Sequence, residues 1–169
     1  MMHNAPKYGE TEIPLHFRDL AIAYLECSER LCGEMADGAW DANFHRGQAV
    51  MWLAFHATEL LLKGCIRRIA PRDSKSIHSL GKLLEVFSTH FPNVPFEPPF
   101  GAEAITGDSE AIEWALEVDR TLHERLRYPT NRTGSTWPGE RAFAPQLFAA
   151  ELKRLRADIE RISFAVFGK

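Results

Sequence analysis

Apolar residues along this chain recur at steps of three and four, in runs separated by stretches of proline, glycine and small polar residues. From Pro14, at a plausible first helical position, Leu20, Tyr24, Cys27, Leu31 and Met35 lead to a stop near Gly38, which predicts a first helix with those residues on its inner face. Asp41 or Asn43 can cap a second helix. Its apolar register runs through Val50, Leu53, Ala54, Ala57, Leu60, Leu61 and Gly64 to about Ile69, and Pro71 ends it. A polar loop over 72–76 follows, and Ile77-His78-Ser79-Leu80 opens a shorter third helix with Leu80, Leu83, Leu84 and Phe87 on one face. Residues 91–107 cannot be helical, because Pro92, Pro95, Pro98 and Pro99 interrupt the backbone donors. Phe91, Phe96 and Phe100 are too apolar for free solution, so this segment is expected to pack across the helices. Asp108 or Ser109 can open a fourth helix, with Ile112, Ala115, Leu116, Asp119, Leu122 and Leu126 on one face as far as Tyr128-Pro129. A turn-rich loop, Pro129 to Pro138, precedes a last helix whose seam is Phe148, Leu152, Leu155, Ile159, Ile162 and Val166. There is no internal repeat and no strand-like alternation. The pattern predicts an all-α antiparallel bundle of five helical segments, four of them long, in one domain over 13–169 behind a polar N-terminal arm over 1–12.

The second helix changes the picture most. Beside its apolar side, Trp52, His56, Glu59 and Lys63 follow at steps of four, three and four, so imidazole, carboxylate and ammonium form a structural polar ladder along one stripe. A helix this apolar belongs at the centre of a bundle or at a subunit contact, where an unpaired charge costs several kcal/mol, roughly, so Glu59 and Lys63 need partners. His56 and Glu59 could be two metal ligands, but no Glu here is followed three positions on by a His, as the di-iron pattern requires. No metal site and no cofactor is expected.

Composition sets the outer limits. The chain has 169 residues, 45% hydrophobic and 25% charged, enough for one domain with a substantial core. A formal net charge of -3 disfavours a dedicated duplex-DNA binder. Cys27, Cys32 and Cys65 form no CxxC pair and are odd in number, which suits free thiols in a reducing cytoplasm. The N-terminus has no apolar leader, and no uninterrupted apolar run approaches the roughly 18 residues of a membrane span, so a soluble cytoplasmic protein without a membrane partner is expected.

Arg120, Arg125, Arg127 and Arg132 form a local basic run ending in the loop to Trp137. These cations can hold a phosphate while Tyr128 or Trp137 stacks on a base; the plainer reading is a solvated helix face with Arg127 paired to Glu59. Cys65, among Leu62, Ile66 and Ile69, reads as a packing residue. No phosphate-binding glycine loop, nucleophile elbow or zinc-finger spacing is present.

Three motifs in order, Ala57-Thr58-Glu59-Leu60-Leu61-Leu62-Lys63, His78-Ser79-Leu80 and Leu126-Arg127-Tyr128-Pro129, resemble the HEPN family, the higher-eukaryote and prokaryote nucleotide-binding helical bundles. The resemblance covers helices two to four and their loops. It implies an up-and-down four-helix bundle, often a homodimer, with relatives that act as RNases, as halves of toxin-antitoxin pairs, or as partners of nucleotidyltransferase-fold proteins. Nuclease members carry an Arg followed after four to six residues by a His near the start of a late helix. Here Arg125, Arg127 and Arg132 have no later histidine, because His123 is the last one in the chain. Arg72 and His78 match the spacing but span the loop into the third helix, where His78 already belongs to the helix-opening motif. The expected function is therefore noncatalytic: a HEPN-like homodimer binding RNA, a nucleotide, or a nucleotidyltransferase or toxin-antitoxin partner through Arg125, Arg127, Tyr128, Arg132 and Trp137. The alternatives are a metal-independent endoribonuclease using His78 or His123, and a protein-interaction module that docks through Phe91 to Phe100.

Overall fold

A computed structural model describes residues 9, 12–74, 76–100, 109–138 and 142–168. The protein is all-helical: α1 (Ile13–Ala36), α2 (Phe44–Ile69), α3 (Leu80–His90), α4 (Ser109–Arg125) and α5 (Pro145–Phe167). Among the described residues the only strand-like pairing is a single antiparallel bridge, Thr130 to Thr136. The N-terminal arm apart from Gly9 and Glu12, the cap candidate Asp108, and 101–107 lie outside the described residues.

Local chemistry explains most helix ends. Pro14 and Pro145 sit in the first turns of α1 and α5, where a missing N–H costs nothing. Of the two cap candidates for α2, Asn43 does the capping, its Oδ1 accepting from Arg46 N at 3.1 Å. Asp41 holds the Arg46 guanidinium through its own carbonyl at 2.7 Å. Helix α2 stops at Ala70, directly before Pro71, as the steric restriction on a residue preceding proline requires. Ser79 caps α3 by accepting from Lys82 N at 3.2 Å, and its hydroxyl also donates to Asp119 Oδ2 of α4 at 2.5 Å. Asp119 Oδ1 accepts from Gly81 N at 3.0 Å, so one α4 carboxylate satisfies the α3 N-terminus. A Cβ on Gly81 would sit 3.1 Å from that carboxylate, which is why glycine suits the position.

Helix α2 is the centre and touches each of the other four helices. Its length and composition would let it cross a membrane, but most of its apolar window is covered by the other helices. The core joins Val50, Ala54, Phe55, Leu61 and Ile66 to Leu25 of α1, Leu83 and Phe87 of α3, and Leu152, Leu155, Ile159 and Ile162 of α5. As expected, Phe91, Phe96 and Phe100 pack inward: Phe100 lies 5.7 Å from Phe55 and 6.1 Å from Phe148 between ring centroids, and Phe96 lies 6.4 Å from Phe87. Cys65 is fully buried and its thiol is pushed up to about 12, chiefly by that burial, as befits a packing residue.

Two expected faces are displaced. The buried side of α1 is Ala21, Leu25, Ser28, Cys32 and Met35, while Leu20 and Cys27 are exposed. Ser28 can be buried because its hydroxyl donates to Val50 O at 2.9 Å. On α4 only the first half of the expected face is displaced: Ile112 and Leu116 are exposed, whereas Asp119 bonds to α3 and Leu122 and, just past the helix, Leu126 pack on the core, with Arg125 the sole buried residue within the helix.

Candidate functional site

The site grows from Glu59, which is 5% exposed near the middle of α2. The predicted ladder is formed: Glu59 Oε1 accepts from Lys63 Nζ at 2.7 Å and Oε2 faces His56 Nδ1 at 3.3 Å, while Trp52 stacks on the His56 ring at 5.2 Å. A further partner arrives from outside the helix. His78, just before the α3 cap, places Nδ1 2.9 Å from Glu59 Oε1. An ionised carboxylate only accepts, so both imidazoles carry their proton on Nδ1. Burial alone would raise the Glu59 carboxyl; the hydrogen bonds from His56 and Lys63, the Lys63 charge and the bond from His78 outweigh it and lower the group to about 2. Arg127, expected to pair with Glu59, instead lies exposed with its guanidinium 5.2 Å from the centre of its neighbour's ring, Tyr128.

His78 stacks on His123 of α4, with ring centroids 5.4 Å apart and planes at 22°. His123 Nδ1 is buried with no hydrogen-bond partner, and Nε2 lies 3.8 Å from Glu124. Burial pulls the His123 pKa down, Glu124 and Glu59 oppose the shift and His78 and Arg127 add to it; the net displacement is downward. The two histidines that spacing alone does not connect are thus neighbours, each reached from a different element.

The loop after α4 is ordered by its own chemistry. Asn131 Oδ1 accepts from Thr133 N, Thr133 Oγ1 and Ser135 N at 3.0, 2.7 and 3.0 Å, and Gly134 takes the left-handed φ of +82° that the turn needs. Trp137 closes it by donating Nε1–H to Tyr128 O at 2.9 Å. Arg132 then reaches back, its Nε and Nη2 donating to Glu124 Oε1 at 3.0 and 2.5 Å while its side chain stays 86% exposed.

Arg125 does not join this surface. It is 3% exposed, with its guanidinium carbon 5.0 Å from the ring centres of both Trp114 and Trp137. Its Nε donates to Thr121 Oγ1 at 2.7 Å and Nη1 to Pro138 O at 3.2 Å. It therefore clamps the loop to α4 and lies outside the two histidine clefts, bordering instead the groove on the other side of Arg127-Tyr128-Pro129. Trp137 shares in the clamp.

Two clefts, of about 570 and 580 Å³, share His78, His123, Glu124, Asn131 and Arg132; Lys82 and Arg120 line the first, Arg127 and Tyr128 the second. In the second, Glu124 is the only carboxylate among the lining residues, against two guanidinium groups and two imidazoles. On the other side of Arg127-Tyr128-Pro129 lies a more apolar groove of about 650 Å³. Among the described residues no three His, Cys, Asp or Glu side chains come together to hold a metal ion. At Glu59, moreover, the Lys63 ammonium opposes a bound cation. Compared with protein-family models, curated proteins and solved structures, the chain matches none of them.

Proposed function

We propose that this chain is a HEPN-like helical protein that binds the phosphate of a nucleotide or single-stranded RNA segment at the corner formed by His78, His123, Arg127 and Arg132, and does not cleave it. The observation that carries this reading is the convergence of those four nitrogen-rich side chains, from the α3 entry, α4 and the following loop, on one cleft with a single lining carboxylate. Four long helices and one short one, and the Glu59–His78 contact between two of the motifs that suggested the family, support the same reading. As a HEPN-like protein it acts as a homodimer or beside a nucleotidyltransferase-fold or toxin-antitoxin partner in the cytoplasm.

Nuclease activity is the second reading, favoured by His78, whose Nδ1 is tied to a carboxylate so that Nε2 is the nitrogen left for a substrate proton. Two features weigh against it. In-line displacement at phosphorus wants base and acid on opposite sides, whereas these imidazoles are stacked face to face at 5.4 Å. A His123 pulled below its ordinary pKa is also a poor reservoir for the proton an acid must deliver. Docking through Phe91 to Phe100 is the least supported reading, since those rings pack on the protein's own core.

One experiment addresses both phosphate readings. A fluorescein-labelled single-stranded RNA is titrated with wild type and with Arg127→Ala/Arg132→Ala, at low and high salt, and the same RNA is then run on a denaturing gel. We expect salt-sensitive binding, weakened by about tenfold or more in the double variant, and intact RNA. Equal affinity for the two proteins removes this surface from consideration, and cleavage by wild type that His78→Ala abolishes transfers the case to the nuclease.

A further inference from the structure

We infer that the groove on the far side of Arg127-Tyr128-Pro129 holds an unpaired base of the same ligand, so that the protein reads a phosphate together with its neighbouring base. The inference rests on the phosphate-binding reading above and adds a second compartment to it. The groove, of about 650 Å³, has aromatic walls in Phe44, Tyr128 and Trp137. Phe44 and Tyr128 are 41% and 49% exposed; Trp114 and Phe164 are also open, at 43% and 73%, but neither of those lines the groove. Two rings left open to water beside a cationic cleft are what base stacking requires.

Continuity with the phosphate cleft is the second argument. Arg127, Tyr128 and Pro129 line both the aromatic groove and the histidine cleft, so the compartments meet at one rim. The backbone of the rim is fixed from both sides: Trp137 Nε1–H donates to Tyr128 O at 2.9 Å, and Gln48 Nε2 donates to Arg125 O at 2.8 Å. That second bond uses one of the two N–H groups of the Gln48 amide and leaves the other, with the side-chain oxygen, for the groove, and Thr136 adds an exposed hydroxyl. An aromatic slot with a few edge hydrogen-bonding groups suits a planar heterocycle. A duplex, whose bases are already stacked and paired, could fill only the phosphate half.

The test uses an eight-residue oligouridylate and a ribose-phosphate octamer of the same length without bases, each titrated against wild type and Phe44→Ala, since Phe44 lines the groove and not the histidine cleft. We expect the oligouridylate to bind wild type about tenfold or more tightly than the baseless octamer, and the variant to lose most of that difference while holding the baseless octamer as wild type does. Wild type alone suffices to overturn the inference: equal affinity for the two oligomers leaves the phosphate site standing and removes the base groove. Binding of neither oligomer fells the phosphate reading, and this one with it. Unchanged oligouridylate binding in a variant that keeps wild-type circular dichroism also overturns the groove.

Discussion

Glu59 shows how one side chain can be both a cost and an organiser. Left alone at 5% exposure, its carboxylate would be driven to protonate; with Lys63, His56 and His78 around it, the folded chain accepts a proton only near 2. The unfolded chain accepts it near the ordinary 4.5, so acid in that window favours the unfolded state. The stabilisation is complete above about 4.5 and disappears as pH falls through 2; its size is on the order of 3 kcal/mol. Changing Glu59→Gln removes the titrating group and strands the Lys63 ammonium, whose side chain is 12% exposed. Urea unfolding at pH 7 is expected to show a loss of about 3–5 kcal/mol. Between pH 4.5 and 2.5 the variant should lose stability less steeply than wild type, and parallel curves over that range would mean that Glu59 is not the group being titrated.

At the level of helices, two glycines separate intrinsic propensity from packing. Gly33 in α1 has nothing within 4 Å of where a Cβ would stand, so Gly33→Ala gains helix propensity without a clash. Gly47 in α2 faces Phe143, and a Cβ there would fall 2.2 Å from the ring's Cγ. The overpacking cost of about 1–3 kcal/mol exceeds the propensity gain of about 1 kcal/mol. Thermal melts should therefore move in opposite directions, Gly33→Ala upward by about 2–4 °C and Gly47→Ala downward; a rise in both would show that Phe143 leaves its place at little cost. Several element positions were legible in the sequence because their ends are chemical: Pro14, the Asn43 cap, Pro71 and the His78-Ser79-Leu80 opening of α3. Faces were less so. The inner side of α1 uses Ala21 and Ser28, small residues that a search for large apolar side chains passes over, and α4 is held by polar contacts that such a search does not count. The same limit governs the site. The ladder from Trp52 to Lys63 follows from helical spacing, whereas the His78 bond to Glu59 joins residues 19 apart across a loop. Yet His123 had a signal, since it completes the i, i+3, i+4, i+7 series of Asp119, Leu122 and Leu126. Arg125 had half of one: Trp114 and Thr121 share its helical stripe at eleven and four residues before it, but Trp137 comes from the following loop, and no spacing places it there.

Across the whole molecule the proposed site joins the most and the least anchored helices. Helix α2 meets all four others and buries half of its residues, from Gly47 to Ile66, while α4 buries Arg125 alone and leaves Ile112, Trp114 and Leu116 exposed. Local opening follows buried contact, so α4 should open well below the free energy of global unfolding. Hydrogen-exchange mass spectrometry is expected to find peptides from 109–125 exchanging first among the long helices and those from 54–66 last. A ligand that touches both His78 and His123 bridges the α3 entry and α4, and its binding energy opposes the opening of α4. Saturating oligouridylate should therefore slow exchange in 109–125 more than in α1 or α5. If α4 is already as protected as α2 in the free protein, buried contact is not what anchors it; if the ligand slows all helices equally, it binds away from the histidine pair.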